Sequence, residues 1–291
     1  MSDGACAGRV QAWRTRLEQA LTQRLPDSDA EPTRLHAAMR YCVLNVGERV
    51  HPLLLFGTAR ALGLAEAQVE AAACALELIH AYSRVHDDLP ALEDDAGADG
   101  RAACHAAYDE GTAVLVGDAL QSLAFQVLAG DEALPASADI RLRLIALLAE
   151  AIGAGGLTGG QALDVEAHGR QLTVAELEAL YSRRTGALLR ASVLMAAECA
   201  PQAAARLHQS LGEFATALAL ALQIRRQLHM ARAAEGRPSY PRVIGPEAMR
   251  QRLERLYAQS LEALQPLGAA AEPLRDLARW LLADGPAARP S

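Results

Sequence analysis

Apolar residues recur at three- and four-residue spacing along most of the chain, which is the period of one face of an α-helix. Between residues 66 and 85 the series Val69, Ala72, Ala73, Leu76, Ile79 follows this rule. The same period predicts helices over 111–129, 138–152, 174–198, 203–232 and 246–264. Thr173 to Glu176 reads T-x-x-E before an apolar run, the pattern of a capping box. Alanine and leucine are abundant, while the alternating valine and isoleucine runs that suit strands are missing. The pattern predicts an all-α protein: a bundle of long helices joined by short loops.

The breaks fall at Pro26–Pro32, Asp94–Gly100, Gly130–Pro135 and Ala234–Pro241. Each is the size of a loop rather than a linker, so residues 1–291 are expected to form a single domain. Within it, 1–30 reads as an N-terminal helix and loop, 246–291 as packing helices, and 284–291 as a frayed tail. There is no internal repeat. The cluster GAGGLTGG at 153–160 does not fit a dinucleotide fingerprint, and no strand precedes it. Small residues there let helices or a ligand approach the backbone closely.

Composition narrows the chemistry. The 291 residues carry a net charge of −7, and all 28 basic residues are arginine. Without lysine there is no Schiff-base or P-loop lysine chemistry, and an arginine in place of a lysine carries little information. An acidic chain without a basic face predicts no nucleic-acid partner. No apolar run approaches the roughly 18 residues of a membrane helix, so no membrane span is expected. The N-terminus lacks the apolar core of a signal peptide. Cys6, Cys42, Cys74, Cys104 and Cys199 are scattered and odd in number, as free thiols in a reducing cytoplasm would be.

The segment HAYSRVHDDLPALEDD, His80–Asp95, is the most informative. It places Asp87, Asp88, Glu93, Asp94 and Asp95 at the end of a strongly apolar helix. Pro90 stops that helix just after the aspartates and fixes them at its C-terminal end. Two carboxylates on the negative end of a helix dipole are costly unless a cation binds. Oxygen-rich clusters of this kind suit Mg²⁺ bridging to a substrate phosphate.

This segment resembles the first aspartate-rich motif of the trans-isoprenyl diphosphate synthases, in particular the bacterial farnesyl diphosphate synthases. Further blocks match in the same order: LHAAMRYCVLNVGERVHP (35–52), LVGDALQSLAF (115–125), GGQALDV (159–165), RTGALLRA (184–191) and GRPSYP (236–241). The resemblance covers roughly 30–245 and implies the all-α isoprenoid synthase fold around a central prenyl-binding cavity, commonly as a homodimer. It implies Mg²⁺ held by Asp87, Asp88 and Glu93, and catalytic roles for Asp87, Asp88, Arg184 and Thr185. Substrate contacts carried over by position are Arg49, His80, Gln161 and Gln223, with Asp164 beside them. Tyr82, five residues before Asp87, matches an aromatic that floors the hydrocarbon pocket and sets a product of ten to fifteen carbons. The ordinary alternatives are a core histidine at His80, helix packing for Tyr82, and helix bracing for Gln161 and Asp164. His105, His168, His208 and His229 show no ligand spacing.

The resemblance also has departures. The family block G-K-R-x-R-P reads Gly47-Glu48-Arg49-Val50-His51-Pro52, so two cations that hold isopentenyl diphosphate are replaced by Glu48 and His51. The arginine pair after the first motif reads Ala98-Asp99. The second aspartate motif reads Arg225-Arg226-Gln227-Leu228-His229-Met230, with Arg237 near a further family lysine. Arg84 replaces an apolar residue. Charges have exchanged sides, and Arg225 and Arg226 are expected either to pair with Asp87 and Asp88 in place of Mg²⁺ or to contact diphosphate directly. Three readings follow: an enzyme that binds a geranyl or farnesyl diphosphate but is impaired in condensation, with terpene-synthase-like or other prenyl-transfer chemistry; a non-catalytic partner in a heterodimer with a functional synthase; and an ordinary short-chain synthase.

Overall fold

The computed structural model describes residues 3–45, 47–98, 100–229 and 238–283. Asp99, Met230, Arg237 and the tail 284–291, singled out above, lie outside the described residues. In chain order the helices are α1 Asp3–Arg24, α2 Thr33–Val43, α3 Val50–Ala61 and α4 Glu70–Asp87. A small antiparallel hairpin follows, β1 Gly97–Ala98 against β2 Arg101–Ala102, with Gly97 opposite Ala102. Then come α5 Cys104–Ala107, α6 Glu110–Gly130, α7 Ala138–Ile152, α8 Leu157–Glu166 and α9 Val174–Tyr181. The remainder is α10 Ala187–Glu198, α11 Pro201–His229, α12 Tyr240–Val243, α13 Gly245–Ala263 and α14 Glu272–Ala283.

The all-α expectation holds, and the six predicted helices appear close to their expected bounds. One differs in kind. The predicted helix 174–198 is two α-helices joined by a π-helical turn, Ser182–Gly186. The apolar period runs through both halves, so the extra residue in that turn leaves no trace in the pattern. The hairpin was not foreseen either, because two-residue strands are too short to show alternation. The capping box forms as read: the Thr173 hydroxyl accepts from the Glu176 amide at 3.3 Å, and Glu176 accepts from the Thr173 amide at 2.8 Å.

Two helices are apolar nearly all round and lie inside. In α4 every residue from Ala71 to Ile79 is buried, Glu77 included. In α10 Leu188, Leu189 and Ala191 to Ala197 are buried. α3, α6 and α7 pack on these two, α11 covers α10, and α13 packs on α11. A buried apolar cluster runs from Cys6 to Leu281, and a smaller one gathers Leu177, Tyr181, Ile224, Tyr240 and Leu256.

α6 is long and apolar enough to cross a membrane by length and composition. Gly117, Asp118, Gln121, Ser122 and Gln126 interrupt its apolar sequence, which hid it from a search for an unbroken run. Val116, Leu120, Ala124 and Val127 on one face are buried, and α6 packs along α4.

Candidate active site

The aspartates stand where Pro90 was expected to fix them. α4 ends at Asp87, with Asp88 as its C-cap. The preceding His86 locks this end against α6. Its ring occupies the space that a Cβ on Gly117 would need, and its Nε2 lies 3.1 Å from the Val114 carbonyl. The buried Tyr82 ring meets His86 edge-on at 5.3 Å.

A second group of elements closes on Asp87. Gln161 of α8 donates to Asp87 Oδ1. Arg184, in the π-helical turn, bonds Glu93 and reaches Asp164 Oδ2 at 2.6 Å and Asp87 Oδ2 at 3.8 Å. Gly160 makes this approach possible, since a Cβ there would meet the Arg184 backbone. A π-turn often marks a functional position because it re-aims one side chain within a helix. Here it carries Arg184 and Thr185, and Thr185 is half-buried. Burial raises the pKa of both Asp87 and Asp88 above the usual carboxylate range. Arg184 opposes that rise at Asp87, and Arg84 opposes it at Asp88.

The other side of the site is built differently. Arg49 is 3% exposed, and its guanidinium is engaged through all three nitrogens. Nη1 donates to Glu77 at 2.5 Å, Nη2 to Glu18 at 2.5 Å and to the Val43 carbonyl at 2.7 Å, and Nε to Glu18 at 3.0 Å. Arg49, expected to contact substrate, stands here as a buried brace between α1, α3 and α4. A lone acid inside the apolar run 71–79 was the sequence signal for this, because a buried carboxylate needs a partner. His51 and His80 lie face to tilted face at 4.6 Å, and burial pushes both imidazoles down to about 3. For His80, Arg84, Arg49 and Arg226 add to that push.

Arg225 and Arg226 are expected from the sequence either to pair with the aspartates or to contact diphosphate directly, and the structure does not pair Arg225 with the aspartates. Arg225 instead lies 3.9 Å from Glu48, and Arg226 is exposed on α11 on the His80 side. The arginines that act on the aspartates are Arg184 and Arg84. Glu48 and Arg225 thus lie beside each other. Gln223 is half-buried beside Tyr181, whose hydroxyl donates to the Pro238 carbonyl at 3.0 Å. The structure thus gathers Asp87, Glu93, Gln161, Asp164 and Arg184 at one end, and His80, Arg84 and Arg226 at the other. A separate groove of about 520 Å³ between α10, α11 and α13 contains none of the predicted site residues.

Comparison with known proteins bears on the family and the fold. A sequence profile described as polyprenyl synthetase matches residues 32–226. The chain is 34% identical over 278 residues to a farnesyl diphosphate synthase of Haemophilus influenzae, covering 91% of this chain and 94% of the relative. It is 42% identical over 212 residues to a farnesyl diphosphate synthase of Geobacillus stearothermophilus, covering 72% and 70%. Among solved structures, an apo FPP/GFPP synthase of Zymomonas mobilis superposes with a TM-score of 0.89 at 29% identity, covering 97% of this chain and 100% of that one. A geranyltransferase of Legionella pneumophila gives a TM-score of 0.87 at 25% identity, covering 97% and 98%. The fold is the all-α isoprenoid synthase fold.

Proposed function

This chain belongs to the polyprenyl synthetase family, and we propose that it binds a geranyl or farnesyl diphosphate at Asp87 and Asp88 and condenses it poorly with isopentenyl diphosphate. The observation that carries this reading is the contrast in availability. Asp87 and Asp88 keep part of their surface exposed at the end of α4, while Arg49 is sealed between Glu18 and Glu77. Glu48, beside it, brings negative charge to where a second diphosphate would sit.

Asp87 and Asp88 fit Mg²⁺: they are hard oxygen donors at the negative end of α4, and their raised pKa values mark charge that the protein does not fully compensate. Among the described residues no three His, Cys, Asp or Glu side chains gather as one metal set. Glu93 is engaged by Arg184, so it supports the site through that arginine. Bound there, the ion would neutralise the leaving diphosphate as a Lewis acid. The chain's own residues do the rest. Arg184 and Gln161 hold Asp87 in place, and buried Tyr82 is the candidate floor for the prenyl chain. Neutral His80 and His51 leave the positive charge on the second side to the arginines.

The test is incubation with geranyl diphosphate and Mg²⁺, with and without isopentenyl diphosphate, reading diphosphate release and extracted products. Release above a protein-free blank is expected. Each missing phosphate contact is worth about 1.5–3 kcal/mol, so elongation should run at least about tenfold below that of a farnesyl diphosphate synthase measured alongside. The double variant Glu48→Lys/Arg225→Asp should recover part of it. Elongation by the wild type at the comparison enzyme's rate would overturn the impairment.

A second reading, partnership with another synthase subunit, is favoured by exposed Val114 and Leu115 on α6 and Leu142 on α7. Such apolar side chains on neighbouring helices suit a dimer with a second copy or a related chain. The chain is taken as one domain and as a cytoplasmic protein in either case.

A further inference from the structure

We propose that Arg84 binds a diphosphate directly, at the junction between Asp88 and His80, and so reduces the dependence of that binding on Mg²⁺. The inference rests on the prenyl diphosphate reading above and adds a ligand to it.

His80, Arg84 and Asp88 are spaced by four residues and lie along one face of α4 and its cap. Arg84 is exposed, and no carboxylate oxygen of the described residues comes within 4 Å of it. Its companions differ: Arg49, Arg184 and Arg225 each have a carboxylate partner. The Arg84 guanidinium also reaches toward the turn that leads into α3. Nη1 would lie 4.0 Å from a Cβ on Gly47, whose φ is 79°. It therefore bridges the mouth of the site from α4 toward the chain just before Glu48.

Arg226 of α11 bears electrostatically on the same imidazole, His80, as Arg84 does. An uncommitted guanidinium between a carboxylate pair and a second arginine is poorly placed for a structural role. It is well placed for an anion that spans the gap. The guanidinium fork matches two phosphate oxygens at once, which a point charge does not. A diphosphate is the ligand class of that span: one phosphate toward Asp88 and its cation, the other toward Arg84 and Arg226. Arg84 thereby supplies charge that would otherwise come only from metal.

Calorimetric titration of the full chain with inorganic diphosphate and with farnesyl thiolodiphosphate, in EDTA and in excess Mg²⁺, tests this. The wild type should bind both ligands in EDTA. Arg84→Leu should lose that affinity by roughly tenfold or more while retaining most of its affinity in Mg²⁺. Arg84→Lys should fall between, because it keeps the charge and loses the fork. An unchanged far-ultraviolet dichroism spectrum will show that each variant is folded. Wild-type binding that needs Mg²⁺ absolutely, or equal affinity of wild type and Arg84→Leu in EDTA, would remove Arg84 from the site and leave the prenyl diphosphate reading standing. No binding of either ligand under any condition would overturn both.

Discussion

Arg184 and Arg49 make an instructive pair. Both are arginines in matched sequence blocks, and both hold acidic residues from distant segments. Arg184 sits in a π-turn at the edge of the site and ties Asp87, Glu93 and Asp164 together while Asp87 stays accessible. Arg49 sits at the N-terminal cap of α3, closed on Glu18 and Glu77 and shielded from solvent. One arginine organises a surface that a ligand can reach, and the other stabilises the fold from within. A residue type at a motif position does not tell which of these it is. Burial and partners do.

The largest effect should come from Arg49→Ala. It strands Glu77 inside α4 without its counter-charge, and breaking a buried pair costs about 3–5 kcal/mol. Denaturant unfolding should show that loss. An unchanged midpoint with weakened diphosphate binding would instead make Arg49 a ligand and erase the contrast.

Arg184→Ala should act on function more than on the fold. It frees Asp87, Glu93 and Asp164 together, and charge-assisted contacts of about 1.5–3 kcal/mol each are at stake. Affinity for farnesyl thiolodiphosphate in Mg²⁺ should fall by roughly tenfold to a hundredfold. The unfolding midpoint should move less than for Arg49→Ala, because Arg184 is half-exposed. A larger stability loss than affinity loss would make the two arginines alike.

Smallest per unit of change is a pH dependence on the Arg49 side. His80 and His51 ordinarily titrate near 6.5 and are held down to about 3 in the fold. Between those values the unfolded chain binds more protons than the folded one, so stability falls as pH drops from about 6.5 toward 3. Removing one such group should lessen the slope by up to about 1.4 kcal/mol per pH unit. His80→Gln should therefore flatten the acid limb of a stability–pH curve. Asp87 and Asp88 have raised pKa values, so they act in the opposite sense: their contribution improves as they protonate. An acid limb unchanged in His80→Gln would mean that this imidazole is not held neutral.

Much of this protein was legible in its sequence. Helical period, capping residues and Pro90 are local, and they determine the helices, the Thr173 cap and the end of α4 at the aspartates. The ordered blocks identify the family, and the charges at Glu48, Arg225 and Arg226 can be read directly. What the sequence could not decide was pairing over long separations. Glu18, Glu77 and Arg49 are each unremarkable alone, and only the packing of α1, α3 and α4 turns them into a buried cluster. Arg184 meets Asp164 because Gly160 lets α8 approach the π-turn, and it reaches Glu93 across 91 residues. Arg225 meets Glu48 rather than the aspartates for the same kind of reason. A charge at the surface acts through whichever partner the fold brings within a few ångströms, and that distance belongs to tertiary structure, not to spacing along the chain.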